Sequence, residues 1–327
     1  MRAIFIREPG GPEVLTLRDV PSLSPGLGQV RVRVRYAGVN RADLLQRAGF
    51  YPAPPGVPAD IPGLEYAGEV DAVGPGVTRL AAGDRVFGLV AGGAYAEELV
   101  IHEREVVKTP AALTDEQAAA VPEAFVTAYD AMVTQGHLGP GERVLIHAAG
   151  SGVGTAAVQI ARTLGCFVMG TSRTADKLDR CKALGMDAGI RVDKGAFAAE
   201  VMRLTGGEGA DVVLDLVGGS YAAENLDAAA LKARVLLVGL TAGIRGELNL
   251  ALFLRKRITL IGTVLRARPL EEKILAAQVL EKHLVPWLSA GTIKPVIDQV
   301  FPFEEAAAAH AHVAADRSFG KVLLRAG

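Results

Sequence analysis

Three glycines, Gly150, Gly152 and Gly154, stand between an apolar run, Arg143-Val-Leu-Ile-His147, and a helix-favouring stretch over 155–164. Strand, glycine turn and helix together let a backbone come close to a pyrophosphate, whose charge then meets the free N–H groups and positive end of the helix. Two registers fit. In one, Gly152-Val153-Gly154-Thr-Ala-Ala157 reads as G-x-G-x-x-A. In the other, Gly154 is the third glycine, and Ala149 and Ser151 replace the first two. Alone, the motif is also satisfied by an ordinary strand-to-helix turn.

A second cluster bears on which dinucleotide would bind. A site that prefers NAD usually carries Asp or Glu about 20 residues past the glycines, at the end of the second strand, to bond a ribose 2′-hydroxyl. Here that strand ends in Met169-Gly-Thr-Ser-Arg-Thr-Ala-Asp-Lys177. Ser172 and Arg173 occupy the decisive place, and Lys177 follows one turn later. A hydroxyl and two cations suit a 2′-phosphate. The nearby acid, Asp176, falls where a helix first turn favours negative charge for structural reasons. These residues point to NADPH rather than NADH.

The elements that must hold these groups form two patterns. Up to about residue 120 the chain reads as β-rich, with strands over 3–6, 14–17, 29–35, 64–73, 84–88 and 95–101 between glycine turns. The run Gln29-Val-Arg-Val-Arg-Val-Arg35 alternates, so its arginines belong to a solvated strand face. Asn40 can cap a short helical stretch. Residues 51–63 carry five prolines and form a stiff loop, entered through Phe50 and Tyr51. Those rings either pin a surface loop or line a pocket. Thr114-Asp-Glu-Gln117 opens a helix with a capping-box signal. Strands over 144–147, 166–170, 188–192, 211–216, 234–239 and 258–262 then alternate with helical segments. Six strands with helical crossovers make an α/β fold, a Rossmann-type doubly wound parallel sheet. A helix over 270–290 and a final strand through Gly320-Lys-Val-Leu-Leu324 return to the β-rich module.

Composition excludes several classes. With 327 residues and 50% apolar content the chain is long enough for one or two globular domains. Its net charge of −1 gives no reason to expect nucleic acid or a membrane surface as partner. Cys166 and Cys181 are too few for a disulfide scaffold or a four-cysteine zinc site, and read as reduced core thiols. No apolar run reaches the ~20 residues of a membrane helix, and the N-terminus does not read as a signal peptide. A cytoplasmic protein is the expectation.

The chain resembles the medium-chain dehydrogenase/reductase superfamily in its zinc-free quinone oxidoreductase branch. The resemblance spans essentially the whole chain. It is carried by Gly38-Val-Asn-Arg-Ala-Asp-Leu44, Gly63-Leu-Glu65, Val73-Gly-Pro-Gly-Val77, Gly83-Asp-Arg-Val-Phe-Gly88, Ala149-Gly-Ser-Gly-Val-Gly-Thr-Ala-Ala157, Asp215-Leu-Val-Gly-Gly219 and Gly320-Lys-Val-Leu323. It implies a β-rich GroES-like barrel domain over 1–122 and 266–327 and a dinucleotide-binding domain over 123–265. It also favours the register with Gly154 as third glycine. Zinc-dependent relatives place a ligand Cys where this chain has Asn40 and a His where it has Leu64. The thiolate and imidazole that catalytic zinc needs are thus absent. The six histidines, His102, His137, His147, His283, His310 and His312, form no ligand set.

The resemblance implies hydride transfer from NADPH to a quinone, an electrophile that needs positioning more than a strong acid. It places Asn40 near the nicotinamide or acceptor carbonyl, Tyr51 along the acceptor site, and Ser151 beside cofactor and substrate. It makes Gly150, Ser151, Gly152, Val153 and Gly154 the pyrophosphate turn. Thr127 approaches the nicotinamide. Gly239, Leu240, Thr241, Val264, Leu265, Arg266 and Lys321 cover other cofactor parts, mostly through backbone. Asn40 as a cap, Tyr51 as loop packing and Thr127 as helix interior are the structural alternatives. Relatives often carry a Tyr near the adenosine 2′-phosphate after the third strand; here Val192 stands there, with Arg191 able to supply charge. Rival readings are an NADPH-dependent reductase of activated alkenes and a non-catalytic NADPH-binding protein. The apolar last strand, 258–262, is expected at a sheet edge and to be covered by a homodimer partner.

Overall fold

The structure is a computed structural model that describes residues 1–192 and 196–327. Among the described residues there are fifteen strands: β1 (Arg2–Ile6), β2 (Leu15–Asp19), β3 (Gln29–Val39), β4 (Glu65–Val73), β5 (Arg85–Leu89), β6 (Glu98–His102), β7 (Val107–Lys108), β8 (Arg143–Ile146), β9 (Phe167–Ser172), β10 (Ala188–Arg191), β11 (Ala210–Asp215), β12 (Ala229–Leu237), β13 (Thr259–Gly262), β14 (Ile297–Pro302) and β15 (Lys321–Arg325). The chain divides into two compact units, Met1–Val126 with Leu265–Gly327, and Thr127–Val264.

The first unit is a GroES-like sheet domain. Its larger sheet has the order β14-β15-β3-β4-β5-β7, with β6 also paired to β3, and β1 pairs with β2 in a small separate sheet. Pairing is antiparallel except between β14 and β15. The alternation along β3 is realised: Val30, Val32 and Val34 are buried, while Arg31 pairs with Asp71 at 2.8 Å and Arg35 with Glu69 at 3.8 Å. Through β15 the C-terminal segment pairs with β3 in the register Val322–Val39, which carries Lys321 to the strand end beside Asn40.

The second unit is an α/β layer structure. Its six strands are parallel in the order β10-β9-β8-β11-β12-β13, with the switch of direction between β8 and β11. Val144, Leu145 and Ile146 are fully buried, as a central parallel strand covered on both faces requires. In such sheets ligands bind beyond the carboxyl ends of the strands at the switch point, and the glycine turn follows β8 there.

The single helix read over 270–290 is interrupted. An α-helix spans Leu270–Val279, a wider π turn Leu280–Leu284, and a short α-helix Val285–Ser289 with Pro286 in its first turn. Proline offers no N–H to the preceding turn and its ring crowds the carbonyl four residues back, and the widened turn accommodates both.

Candidate active site

The glycine turn is stitched to both neighbouring strands. His147 donates its N–H to Leu214 O (3.1 Å) and Ala149 to Thr171 O (3.0 Å). Ala148 adopts φ 49°, uncommon for a residue with a Cβ. Ser151 is the N-cap of the helix Gly152–Thr163, and its Oγ accepts the Gly154 N–H at 3.0 Å. The amides of Gly152 and Val153 have no acceptor among the described residues. A Cβ on Gly154 would lie 2.4 Å from Ala148 O and 2.6 Å from Ala149 O. Gly154 therefore holds helix and turn in backbone contact, the task of a third fingerprint glycine. This arrangement fits a pyrophosphate: two unpaired first-turn amides, a helix end and no side chain in the way.

Ser172 closes β9, and its Oγ accepts the Thr174 N–H at 3.3 Å. Arg173 is exposed, Lys177 is half-buried in the helix Ala175–Ala183, and Asp176 lies in that helix's first turn with Arg180 4.0 Å away. Val192 is buried and offers no surface to a base, while Arg191 is exposed. From the next strand ends, Val238 and Gly239 donate to Asp215 O (2.9 and 3.2 Å), and a Cβ on Gly239 would fall 2.4 Å from Leu216 O. The Thr241 hydroxyl reaches Leu216 O at 3.5 Å, and Leu240 is exposed. Behind them His147 is fully buried, bonded to Thr171 Oγ1 (3.0 Å) and Asn225 Oδ1 (2.7 Å), and Asn225 donates to Asp215 Oδ2 (2.8 Å). Burial lowers the pKa of His147. It serves as a neutral brace under three strand ends. Thr127 is buried within the helix Pro122–Tyr129.

In the first unit Asn40 is the N-cap of the helix Arg41–Arg47, and its N–H donates to Asp43 Oδ2 at 2.8 Å. Its side chain is directed to two buried charges. Lys321 Nζ donates to Asn40 Oδ1 (2.5 Å) and forms an ion pair with Glu65 Oε1 (2.5 Å), while Asn40 Nδ2 donates to Glu65 Oε1 (2.9 Å). An ammonium on one side and a carboxylate on the other fix which end of the amide is which. The second Nδ2 hydrogen has only Gly38 O at 3.4 Å. Glu65 Oε2 accepts the backbone N–H of Glu123 at 2.8 Å, so every strong contact of this carboxylate lies inside the protein.

Lys321 and Arg266 are read from sequence as mostly backbone contacts to a cofactor, and the structure shows both side chains buried inside the first unit. Arg266 donates to Ala91 O (2.7 Å), Tyr51 O (3.1 Å) and Gln46 Oε1 (2.6 Å), and its guanidinium lies 5.1 Å from the Tyr51 ring centroid. Burial lowers its pKa, while Asp43, Tyr51 and Glu123 raise it. Tyr51 is thus held by a cation, and burial raises the pKa of its phenol. Phe50 is 80% exposed. Leu265 lines the same pocket as Arg266, and Val264 is exposed at the end of the second unit.

Sequence reading missed the support behind Asn40. Asp43, fully buried, accepts N–H groups from Asn40 and Gly63 (3.0 Å). Burial above all pushes its pKa up to about 6. The Tyr95 hydroxyl lies 3.4 Å from Asp43 Oδ2 and 3.1 Å from His310 Nε2, and Arg47 reaches His310 Nδ1 at 3.2 Å. Arginine can only donate, so Nδ1 accepts, Nε2 carries the hydrogen and Tyr95 donates to Asp43. The Asn-x-x-Asp spacing at 40 and 43 is the local signal that Asp43 belongs to a cap. Nothing local marks Tyr95, His310 or Glu123.

Zinc does not fit this donor set. Asn40 and Leu64 offer neither thiolate nor imidazole, and Glu65 is bound to Lys321. Among the described residues no group of three or more His, Cys, Asp or Glu could hold a metal. Cys166 and Cys181 are buried, and burial pushes their thiols up to about 11 and about 12. No helix among the described residues is long and apolar enough to cross a membrane.

Two family models match, an alcohol dehydrogenase GroES-like domain over 26–111 and a zinc-binding dehydrogenase over 152–281. The chain is 36% identical to a quinone oxidoreductase of Pseudomonas aeruginosa over 323 residues, 96% of each chain. It superposes with TM-score 0.90 and 30% identity on an Escherichia coli quinone oxidoreductase complexed with NADPH, covering 99% of this chain and 100% of that one. It matches the CurK enoyl reductase with TM-score 0.87 and 28% identity, over 100% and 99% of the two chains. The chain belongs to the medium-chain dehydrogenase/reductase superfamily of oxidoreductases, in its zinc-free quinone oxidoreductase branch.

Proposed function

We propose that this protein is an NADPH:quinone oxidoreductase that works without a metal. The observation that carries the reading is the end of β9, where Ser172, Arg173 and Lys177 replace the acid of an NAD site. The amides of Gly152 and Val153 and the helix end would hold the pyrophosphate, and Ser172, Arg173 and Lys177 the 2′-phosphate. Bound NADPH supplies a hydride from nicotinamide C4. Asn40 offers its second Nδ2 hydrogen to the acceptor carbonyl, with the amide oriented by Lys321 and Glu65. Tyr51, braced by Arg266, lines the acceptor. The test is purified protein mixed with NADPH and a panel of quinones and enones, following reduced-nicotinamide absorbance. Oxidation with quinones supports the reading, and none with any acceptor overturns it.

A second reading, reduction of activated alkenes, is favoured by Tyr51 and by the likeness to an enoyl reductase. An alkene reductase must protonate carbon, and a phenol kept protonated by burial is a suitable donor. Tyr51→Phe should then slow enone reduction far more than quinone reduction. Equal effects would remove this reading.

We also propose a homodimer joined along β13. Among the described residues this strand pairs only with β12, and Leu254, Leu260 and Val264 around it are 76%, 44% and 54% exposed. Light scattering should give twice the chain mass at micromolar concentration, and a monomeric mass would refute the assembly.

A further inference from the structure

The loop over 51–63 holds five prolines, which have no N–H to give, so its backbone can make few hydrogen bonds of its own. Two buried side chains, Gln46 and Arg266, grip it from outside. Gln46 Nε2 donates to Ala59 O at 2.9 Å, near the end of the loop. Gln46 Oε1 accepts from Arg266 Nη2 at 2.6 Å. Arg266 Nη1 donates to Tyr51 O at 3.1 Å, where the loop begins, and the guanidinium lies 5.1 Å from the Tyr51 ring centroid. One glutamine thus holds the loop near its end directly and at its start through the arginine.

The setting of Arg266 is unusual for a buried cation. Its printed acceptors, Ala91 O, Tyr51 O and Gln46 Oε1, are all neutral, and Asp43 and Glu123 attract it only at longer range. Burying a charge without an opposite charge in contact is costly. The rigid guanidinium fork offsets that cost by bonding three segments at once, which the single point charge of a lysine cannot do.

Gln46 lies on the helix Arg41–Arg47, and Asn40 is the N-cap of that same helix. The helix is short and hydrogen-bonded throughout, so a residue in its last turn is fixed relative to its cap. Gln46 is also the link by which Tyr51, on a loop with little bonding of its own, is tied back to that helix. On the reductase reading above, on which this rests, we propose that Gln46 is a positioning residue of the acceptor site: through Arg266 it fixes the Tyr51 ring relative to the Asn40 amide. It touches neither acceptor nor cofactor. Its effect is on how well a quinone or enone is seated, since a misplacement of about 1 Å in a reacting pair can cost about 100-fold.

The test is Gln46→Leu, which keeps the bulk of the side chain and removes both of its hydrogen bonds. With one of three grips on the guanidinium lost, kcat/KM for the quinone should fall about tenfold while the Kd for NADPH stays unchanged. Gln46→Glu keeps an acceptor for Arg266 and loses the donor to Ala59 O, and it should recover most of the loss. A role confined to packing would give no such recovery and would not separate acceptor from cofactor. Arg266→Lys keeps the charge without the fork and should show the same tenfold loss, which decides the matter if Gln46→Leu does not fold. An active parent with Gln46→Leu or Arg266→Lys equal to it overturns the positioning role alone, as does a Gln46→Glu variant no better than Gln46→Leu, or an equal loss of NADPH affinity. A parent inactive with every acceptor overturns the reductase reading, and the positioning role with it.

Discussion

Lys321 and Glu65 form an ion pair of 2.5 Å with side chains 4% and 0% exposed, and Asn40 bridges the two. The pair joins the last strand of the chain to the fourth and fixes the amide assigned to the acceptor. Breaking a buried pair leaves an uncompensated charge, which typically costs about 3–5 kcal/mol. Here Glu65 keeps the Glu123 N–H and the Asn40 amide, so Lys321→Met should cost about 3 kcal/mol, at the low end. Adding Glu65→Gln should recover much of the loss. Urea denaturation of the three variants checks this, and an additive double variant would contradict a direct pair.

Gly154→Ala adds one methyl group where Ala148 O and Ala149 O stand 2.4 and 2.6 Å away. Backbone cannot swing aside like a flexible side chain, so the helix must move from the turn. A loss of about 1–3 kcal/mol in stability is expected. NADPH affinity should fall at least tenfold, since the Gly152 and Val153 amides move with the helix. Calorimetric titration that finds unchanged affinity would refute the pyrophosphate assignment.

Arg173→Ala and Lys177→Ala should each weaken NADPH binding and leave NADH nearly unaffected. Hydrogen bonds to charged groups contribute about 1.5–3 kcal/mol, and Arg173 is exposed, so about tenfold is expected there. Equal losses for the two cofactors would contradict the 2′-phosphate role.

His310 is buried between Tyr95 and Arg47, and burial first, then the Arg47 charge, pushes its pKa down to about 3. Between its usual 6.5 and about 3 the unfolded chain binds this proton and the folded chain does not. Stability from this group is therefore full above pH 6.5 and falls with pH, by up to about 1.4 kcal/mol per unit. Gln at 310 can accept from Arg47 and donate to Tyr95 without titrating. His310→Gln should flatten the stability curve between pH 6.5 and pH 5, and parallel curves would count against a neutral buried histidine.

The sheet of the second unit was legible because central parallel strands such as β8 are apolar throughout, and β3 because its valines and arginines alternate. The local structure of the glycine turn and the β9 end was legible because Ser151, Gly154, Ser172 and Arg173 lie within one strand–turn–helix–strand span. The buried groups of the first unit were not. Lys321 meets Glu65, and His310 meets Tyr95, across most of the chain length, and such pairs leave no periodicity to read. The setting of the Arg266 side chain was not legible for the same reason. Its guanidinium is absorbed by Gln46, Tyr51 and Ala91, all distant in sequence. Phe50 and Tyr51 are neighbours with opposite fates because Arg266 stacks on only the second ring.

The central claim is hydride transfer from NADPH, chosen by the cations at the end of β9, to a quinone. It is tested most directly by kcat/KM for NADPH and for NADH with one saturating quinone and a chelator present. Turnover that the chelator does not reduce is expected, with a kcat/KM at least about tenfold higher for NADPH from the contribution of one charge-assisted contact to the 2′-phosphate. No turnover, or a preference for NADH, would contradict it.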